Sequence, residues 1–211
     1  MKYILCYGDS NTWGCVPEKF TRYEFDERWP GYMKNLLGED VHVYENALNG
    51  RTTVFEDSIE EGRNGRTNLE VTLIQNAPID LFIIMLGTND VKNRFAKDPW
   101  DIGWGLNLLI SIVKNSTCGV DGCAPKILIA APIHLSSDWG SSLHNTVFSV
   151  ESVEKSTQLA QIYQVIAERN GCYFIDASLY ASSCGDGVHM SKEGHAAIGK
   201  AMAEKIKEII G

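Results

Sequence analysis

Ser10 stands in the string Gly8-Asp9-Ser10-Asn11, directly after the apolar run Tyr3-Ile4-Leu5-Cys6-Tyr7. The late string Asp186-Gly187-Val188-His189 adds a carboxylate and an imidazole three residues apart. A serine hydroxyl is a weak nucleophile until a base takes its proton, and the base must itself be oriented by a third group. These residue types are the parts of a nucleophilic hydrolase: His189 Nε2 faces Ser10 as base, and Asp186 on Nδ1 sets the tautomer. Two further strings carry donors for developing negative charge. Gly50, in Asn49-Gly50-Arg51-Thr52, lets backbone approach a substrate with its N–H facing an oxyanion. Asn89, in Gly87-Thr88-Asn89-Asp90, offers a side-chain amide for the same purpose. Each string alone is also an ordinary turn, because Gly, Asp, Asn and Ser are what turns favour.

These side chains need elements to hold them. Five short runs rich in β-branched and aromatic residues recur, at Tyr3–Tyr7, Val41–Tyr44, Leu81–Leu86, Ile127–Ala131 and Tyr173–Ile175. Several are apolar throughout, the pattern of strands buried on both faces in a parallel sheet. Helical patterns separate them, at Trp29–Leu37, Asn68–Asn76, from Asp98-Pro99 through Val113, at Ser152–Asn170 and from Lys192 to Ile210. Gly103 and Gly105 should weaken the third of these by ~1 kcal/mol each relative to alanine. Alternation of strand and helix predicts an α/β fold with a parallel sheet covered on both faces. With no linker or internal repeat in view, residues 1–211 read as one domain. Ligands of such sheets bind beyond the carboxyl ends of the strands, and the four strings above follow predicted strands there. Accidental turns would scatter over both ends.

Composition narrows the partners. A net charge of −8 argues against nucleic acid, which requires a basic face, and weakly against an anionic membrane surface. No apolar stretch approaches the ~18 residues of a membrane span, and Met1-Lys2 leads straight into a strand-like run, so a cytoplasmic location with free thiols is expected for the six cysteines. Cys118 and Cys123 have no further ligands nearby and read as a loop pair rather than a metal site. His195 is a rival base, but its place inside the last helix marks it as structural, and His134 and His144 read as loop histidines. Specificity should come from the long segments Val16–Glu27 and Pro132–Val150, with Trp13, Trp100 and Trp139 as candidate pocket walls. Trp104 is expected to pack within its helix stripe.

The four strings together resemble a GDSL-type esterase of the SGNH hydrolase superfamily. The Ser, Gly, Asn and His of that name match Ser10, Gly50, Asn89 and His189, in family order across nearly the whole chain. Asn11 stands where the family often has Leu. The extended strings from Gly8 to Gly14 and from Asn49 to Thr53 resemble the bacterial arylesterase and acyltransferase branch. The resemblance implies a flavodoxin-like three-layer α/β/α sandwich with strand order 2-1-3-4-5. It implies oxyanion donors on Ser10 N–H, Gly50 N–H and the Asn89 side chain, with no cofactor or metal. Its substrates would be small, often acetyl, esters, and several members of the branch form homo-oligomers. A carbohydrate acetylesterase or thioesterase would use the same parts. A catalytically idle flavodoxin-like binding domain is the rival from another class, although no phosphate-binding glycine pattern follows the first strand.

Overall fold

The computed structural model describes residues 1–19 and 21–211. Phe20, inside the 16–27 segment, lies outside the described residues. The elements run β1 (Lys2–Gly8), α1 (Ser10–Trp13), α2 (Trp29–Leu37), β2 (Val41–Ala47), α3 (Leu69–Gln75), β3 (Leu81–Met85), α4 (Pro99–Lys114), β4 (Lys126–Ala131), α5 (Val150–Asn170), β5 (Tyr173–Asp176) and α6 (Lys192–Ile210). Every strand pair is parallel, and the order is β2-β1-β3-β4-β5. Fold class and strand order thus match expectation.

Side chains alternate across a strand, and here the alternation sorts the core into two layers. Leu5, Tyr7, Phe82, Ile84, Ile127 and Ile129 face α3, α4 and α5. Ile4, Cys6, Leu81, Ile83, Met85 and Leu128 face α2 and α6. All five residues of β3, the central strand, are buried, which explains its unbroken apolar run. β2 runs three residues beyond expectation because its polar end is neutralised. Glu45 accepts from Arg28 Nε at 2.7 Å, and Asn46 accepts from Arg51 through both its carbonyl and its side chain. The glycines of α4 are contact points. A Cβ on Gly103 would lie 2.5 Å from Ile162 of α5, so glycine permits the close approach of two helices. Among the described residues no helix is long and apolar enough to cross a membrane.

His195 behaves as a structural residue. It is fully buried in α6, its Nδ1 accepts the Trp29 N–H at 3.3 Å, and Tyr23 meets its ring edge-on. Burial pushes its pKa down to about 3, and the nearby positive groups His189 and Arg28 act the same way. The folded ring therefore stays neutral where the unfolded ring, near 6.5, takes up a proton. Its stabilising contribution is complete above pH ~6.5 and is lost as pH falls towards 3. By pH 5 the loss amounts to about 2 kcal/mol. Denaturant titrations at pH 7 and pH 5 should show this loss in the wild type and a smaller one in His195→Gln; equal slopes would contradict the assignment.

Candidate active site

The order β2-β1-β3 puts the carboxyl ends of β1 and β3 side by side, with Gly8 paired to Met85. Chain leaving β1 turns in one direction and chain leaving β3 in another, so a crevice opens between them. Ser10 is the first residue of α1, a single turn that ends at Gly14. Asp9 caps this turn, its Oδ1 accepting the Asn11 N–H at 2.9 Å, which stiffens the turn. Being first, Ser10 N–H has no intrahelical acceptor and can serve a ligand. Asn11, the departure from the common Leu, is buried, and its Nδ2 donates to the Val188 carbonyl at 3.1 Å. That bond ties the turn carrying Ser10 directly to the loop carrying His189.

The two ends of the chain meet here. His189 Nε2 lies 2.9 Å from Ser10 Oγ, and His189 Nδ1 lies 2.7 Å from Asp186 Oδ2. Asp186 Oδ1 accepts the Val188 and His189 N–H groups at 3.0 and 2.9 Å, which pins the carboxylate within its own loop. Ser10, Asp186 and His189 are all buried. Burial alone would raise the Asp186 carboxyl. The hydrogen bond and charge of His189, with the two backbone donors, outweigh it and hold Asp186 well below the usual carboxylate range. Burial likewise opposes charge on His189, but the bond to Asp186, with the Cys15 thiol beside the ring, overcomes it and raises the imidazole to about 9.

Gly50 and Asn89 border the same cavity of about 340 Å³ that holds Ser10 and His189. Gly50 has φ +81°, which calls for glycine, and a Cβ there would lie 2.9 Å from Glu60 Oε2 and 3.0 Å from Arg63 Nε, so those side chains would have to shift. Asn89 Nδ2 donates one hydrogen to the Arg51 carbonyl at 3.1 Å, which aims the amide and leaves its second N–H for the cavity. Asp90, next in sequence, accepts from the Thr53 N–H at 2.9 Å and from its hydroxyl, joining the Asn89 turn to the Gly50 segment. Burial raises the Asp9 and Asp90 carboxyls to about 6 and about 7.

The GDSL-like Lipase/Acylhydrolase family matches residues 6–197, a span from β1 into α6 that takes in the whole crevice. The chain belongs to that family. This acylhydrolase is similar over 100% of both chains to the aryl esterase of M. smegmatis, at 35% identity and TM-score 0.93. It is equally similar to Est24, a carbohydrate acetylesterase from Sinorhizobium meliloti, at 35% identity, 100% coverage of both chains and TM-score 0.94. A lipase/acylhydrolase from Enterococcus faecalis, at 18% identity, 99% and 96% coverage and TM-score 0.68, shares the fold. No curated protein matches the chain. The acylhydrolase is a carboxylic ester hydrolase by these relationships.

Some expectations about the esterase's cavity need correction. None of Trp13, Trp100 and Trp139 lines the cavity of Ser10. Trp13 lies under the Arg22 guanidinium. Trp139 stacks on Phe148, which does line the cavity, and packs against Gly187, so it backs the wall and the Asp186 loop. Trp100 and Trp104 are about half exposed, with rings 6.1 Å apart. They sit one turn apart, on the face of α4 opposite Ile102, Leu106 and Leu109, so Trp104 does not join the buried stripe. Residues read as ordinary take their place. His144 lines the cavity, with Nδ1 at 3.2 Å from the Asp186 carbonyl oxygen. The 132–150 segment also contributes Leu143, Thr146, Val147 and Phe148. Cys15, Glu60 and Lys92 went unnoticed in the sequence. Lys92 could have been found, since it stands one turn beyond Asn89. Cys118 is buried while Cys123 is exposed, so the two do not form a surface pair.

His144, Asp186 and His189 offer ligand atoms within 4.8 Å of one another and could hold a metal ion. Two of them already spend those atoms on each other, in the Asp186–His189 hydrogen bond. A second depression, of about 450 Å³ between α3 and α4, has only Glu70 and Cys118 as titratable lining and pairs no nucleophile with a base.

Proposed function

We propose that the protein hydrolyses small carboxylic esters, with short acyl groups such as acetyl, through a Ser10–His189–Asp186 triad and an acyl-enzyme. The observation that carries this reading is the relay of 2.9 and 2.7 Å contacts opening on one cavity. His189 Nε2 takes the Ser10 proton as Oγ attacks the ester carbonyl carbon. The carbonyl oxygen becomes an oxyanion, held by the N–H groups of Ser10 and Gly50 and by the Asn89 amide. Collapse breaks the bond to the alcohol oxygen, which leaves with the proton from His189. Water then attacks the acyl-serine, giving its proton to His189, and a second collapse returns that proton to Ser10 and frees the acid. Each oxyanion donor is worth ~2.7–4 kcal/mol of barrier. No step needs a metal or cofactor, because nucleophile, base and electrophilic donors all come from the chain.

A cavity of about 340 Å³ is at the small end for ligand sites, which supports a small ester. The likeness to Est24 supports acetylated carbohydrate as a second substrate class. Labelling with a fluorophosphonate tests the mechanism. The reagent should modify Ser10 stoichiometrically, and peptide mass analysis should find the adduct there. An unlabelled Ser10, or an adduct on another serine, would remove the basis for the reading.

A further inference from the structure

The cavity that holds Ser10 also carries charge that the reaction does not use. Lys92 borders the cavity and is 7% exposed, a setting in which lysine is rarely left without a close partner. The Lys92 N–H donates to the Asn89 carbonyl at 3.2 Å, so both residues ride one turn and face the same space. Among the described residues the ammonium has one ion-pair partner, Glu60, at 3.6 Å. That carboxylate is already engaged: Glu60 Oε1 accepts from Arg94 at 2.8 Å, and Arg63 Nε lies 3.5 Å from Oε2. Asp57 is paired with Arg94 and also accepts the Ile59 and Glu60 N–H groups, at 3.0 and 3.2 Å. Three cations thus meet two carboxylates: Arg94 pairs with both, Arg63 and Lys92 meet Glu60 only at 3.5 and 3.6 Å, and of these two it is Lys92 that borders the cavity. The local excess is positive in a chain of net charge −8, which by itself would repel anions. Burying an ammonium costs free energy unless an anion or several acceptors complete it, and among the described residues its one ion pair, to Glu60 at 3.6 Å, is longer than a hydrogen bond.

We infer that the Ser10 cavity takes an ester bearing a carboxylate or a comparable anion, with Lys92 as its specificity-determining contact. The inference rests on the esterase reading above and adds the charge class of the substrate. Glu60 and Arg63 also pack against Gly50, so the charged wall abuts the oxyanion donors rather than a remote surface. An anion bound there completes the ammonium's coordination and holds the ester carbonyl close to Ser10.

The test compares matched esters that differ in one charge. With charge on the alcohol side the pair is 4-acetoxybenzoate and its methyl ester. With charge on the acyl side the pair is phenyl hydrogen succinate and phenyl butyrate. For each pair the charged-to-neutral ratio of kcat/KM is measured, corrected for uncatalysed hydrolysis. Comparing that ratio between enzymes cancels the intrinsic reactivity of the esters. In at least one pair the ratio should fall on the order of tenfold in Lys92→Met. It should largely survive in Lys92→Arg, which keeps the charge, and rise in Glu60→Gln, which removes the competing carboxylate. If Lys92→Met does not fold, Glu60→Gln and the salt dependence of the wild-type ratio carry the test. That ratio should drop as salt rises from about 0.05 to about 0.5 M. Ratios unmoved by Lys92→Met, or by Glu60→Gln and salt, in both pairs overturn the inference. The esterase reading is judged separately, by phenyl acetate turnover in wild type and its loss in Ser10→Ala.

Discussion

Ser10→Ala is expected to lower kcat/KM for phenyl acetate by a factor on the order of 10⁴ or more, while the protein stays folded. The change removes one oxygen from a residue only 4% exposed, and that oxygen is in hydrogen-bond contact with His189 Nε2 at 2.9 Å. Among the described residues no other hydroxyl is hydrogen-bonded to that nitrogen, so water, or the Cys15 thiol beside the ring, would have to replace the nucleophile. Gly50 and Asn89 would remain to polarise the carbonyl, which is why the variant should retain a residual rate above that in water. Stability should change little, because alanine keeps the turn and Asp9 still caps it through Asn11. Steady-state kinetics on a freshly purified variant, with a thermal melt alongside, checks both halves. Turnover near the wild-type rate would show that the proton relay drawn here is not the machinery.

The second large effect concerns Asp186 and pH. In the proposed mechanism the working base is neutral His189, so kcat/KM should rise with pH as the imidazole loses its proton. Asp186 and Cys15 hold the protonated form, raising the pKa from the ordinary 6.5 to about 9. The acidic limb of the profile should therefore lie on the alkaline side of 6.5, with the rate still climbing between pH ~6.5 and ~9. In Asp186→Asn the charge is gone and burial, which opposes protonation, becomes the leading influence, so the limb should move to lower pH. The rate should meanwhile fall on the order of 10³–10⁴-fold, because an amide at Nδ1 no longer secures the tautomer that points a lone pair at Ser10. A wild-type profile that is flat between pH 5 and 8 would count against His189 as base. An unshifted limb in Asp186→Asn would count against the coupling of the pair.

Much of this arrangement was legible in the chain. Strands buried on both faces advertise themselves as unbroken apolar runs, and β3 does so in all five positions. Helix limits set by local chemistry were equally readable: Pro30 in the first turn marks α2, and Gly171 stops α5. The site strings were readable because parallel topology sends every strand end to one rim, whatever the details of packing. The cavity walls were not. Trp100 looked like a wall residue by its chemistry, yet the phase of α4 turns it outward. His144 looked like loop filler, yet the fold of residues 132–150 brings its ring to 5.5 Å from that of His189. Glu60 and Cys15 carry no local signature, since nothing in their neighbours tells whether a charged or thiol side chain will end in water or against a substrate.

Residue order alone thus determined the class of fold, the run of its elements and the kinds of groups gathered at one edge of the sheet, because periodicity and turn chemistry act over a few residues. Three-dimensional packing decided how far apart those groups stand: 2.9 Å between side chains 179 positions apart, an Asn11–Val188 bond that locks two loops together, and a lysine with one long ion pair on the cavity that holds Ser10. Such distances depend on long-range contacts summed over the whole core, and no short window of sequence contains them.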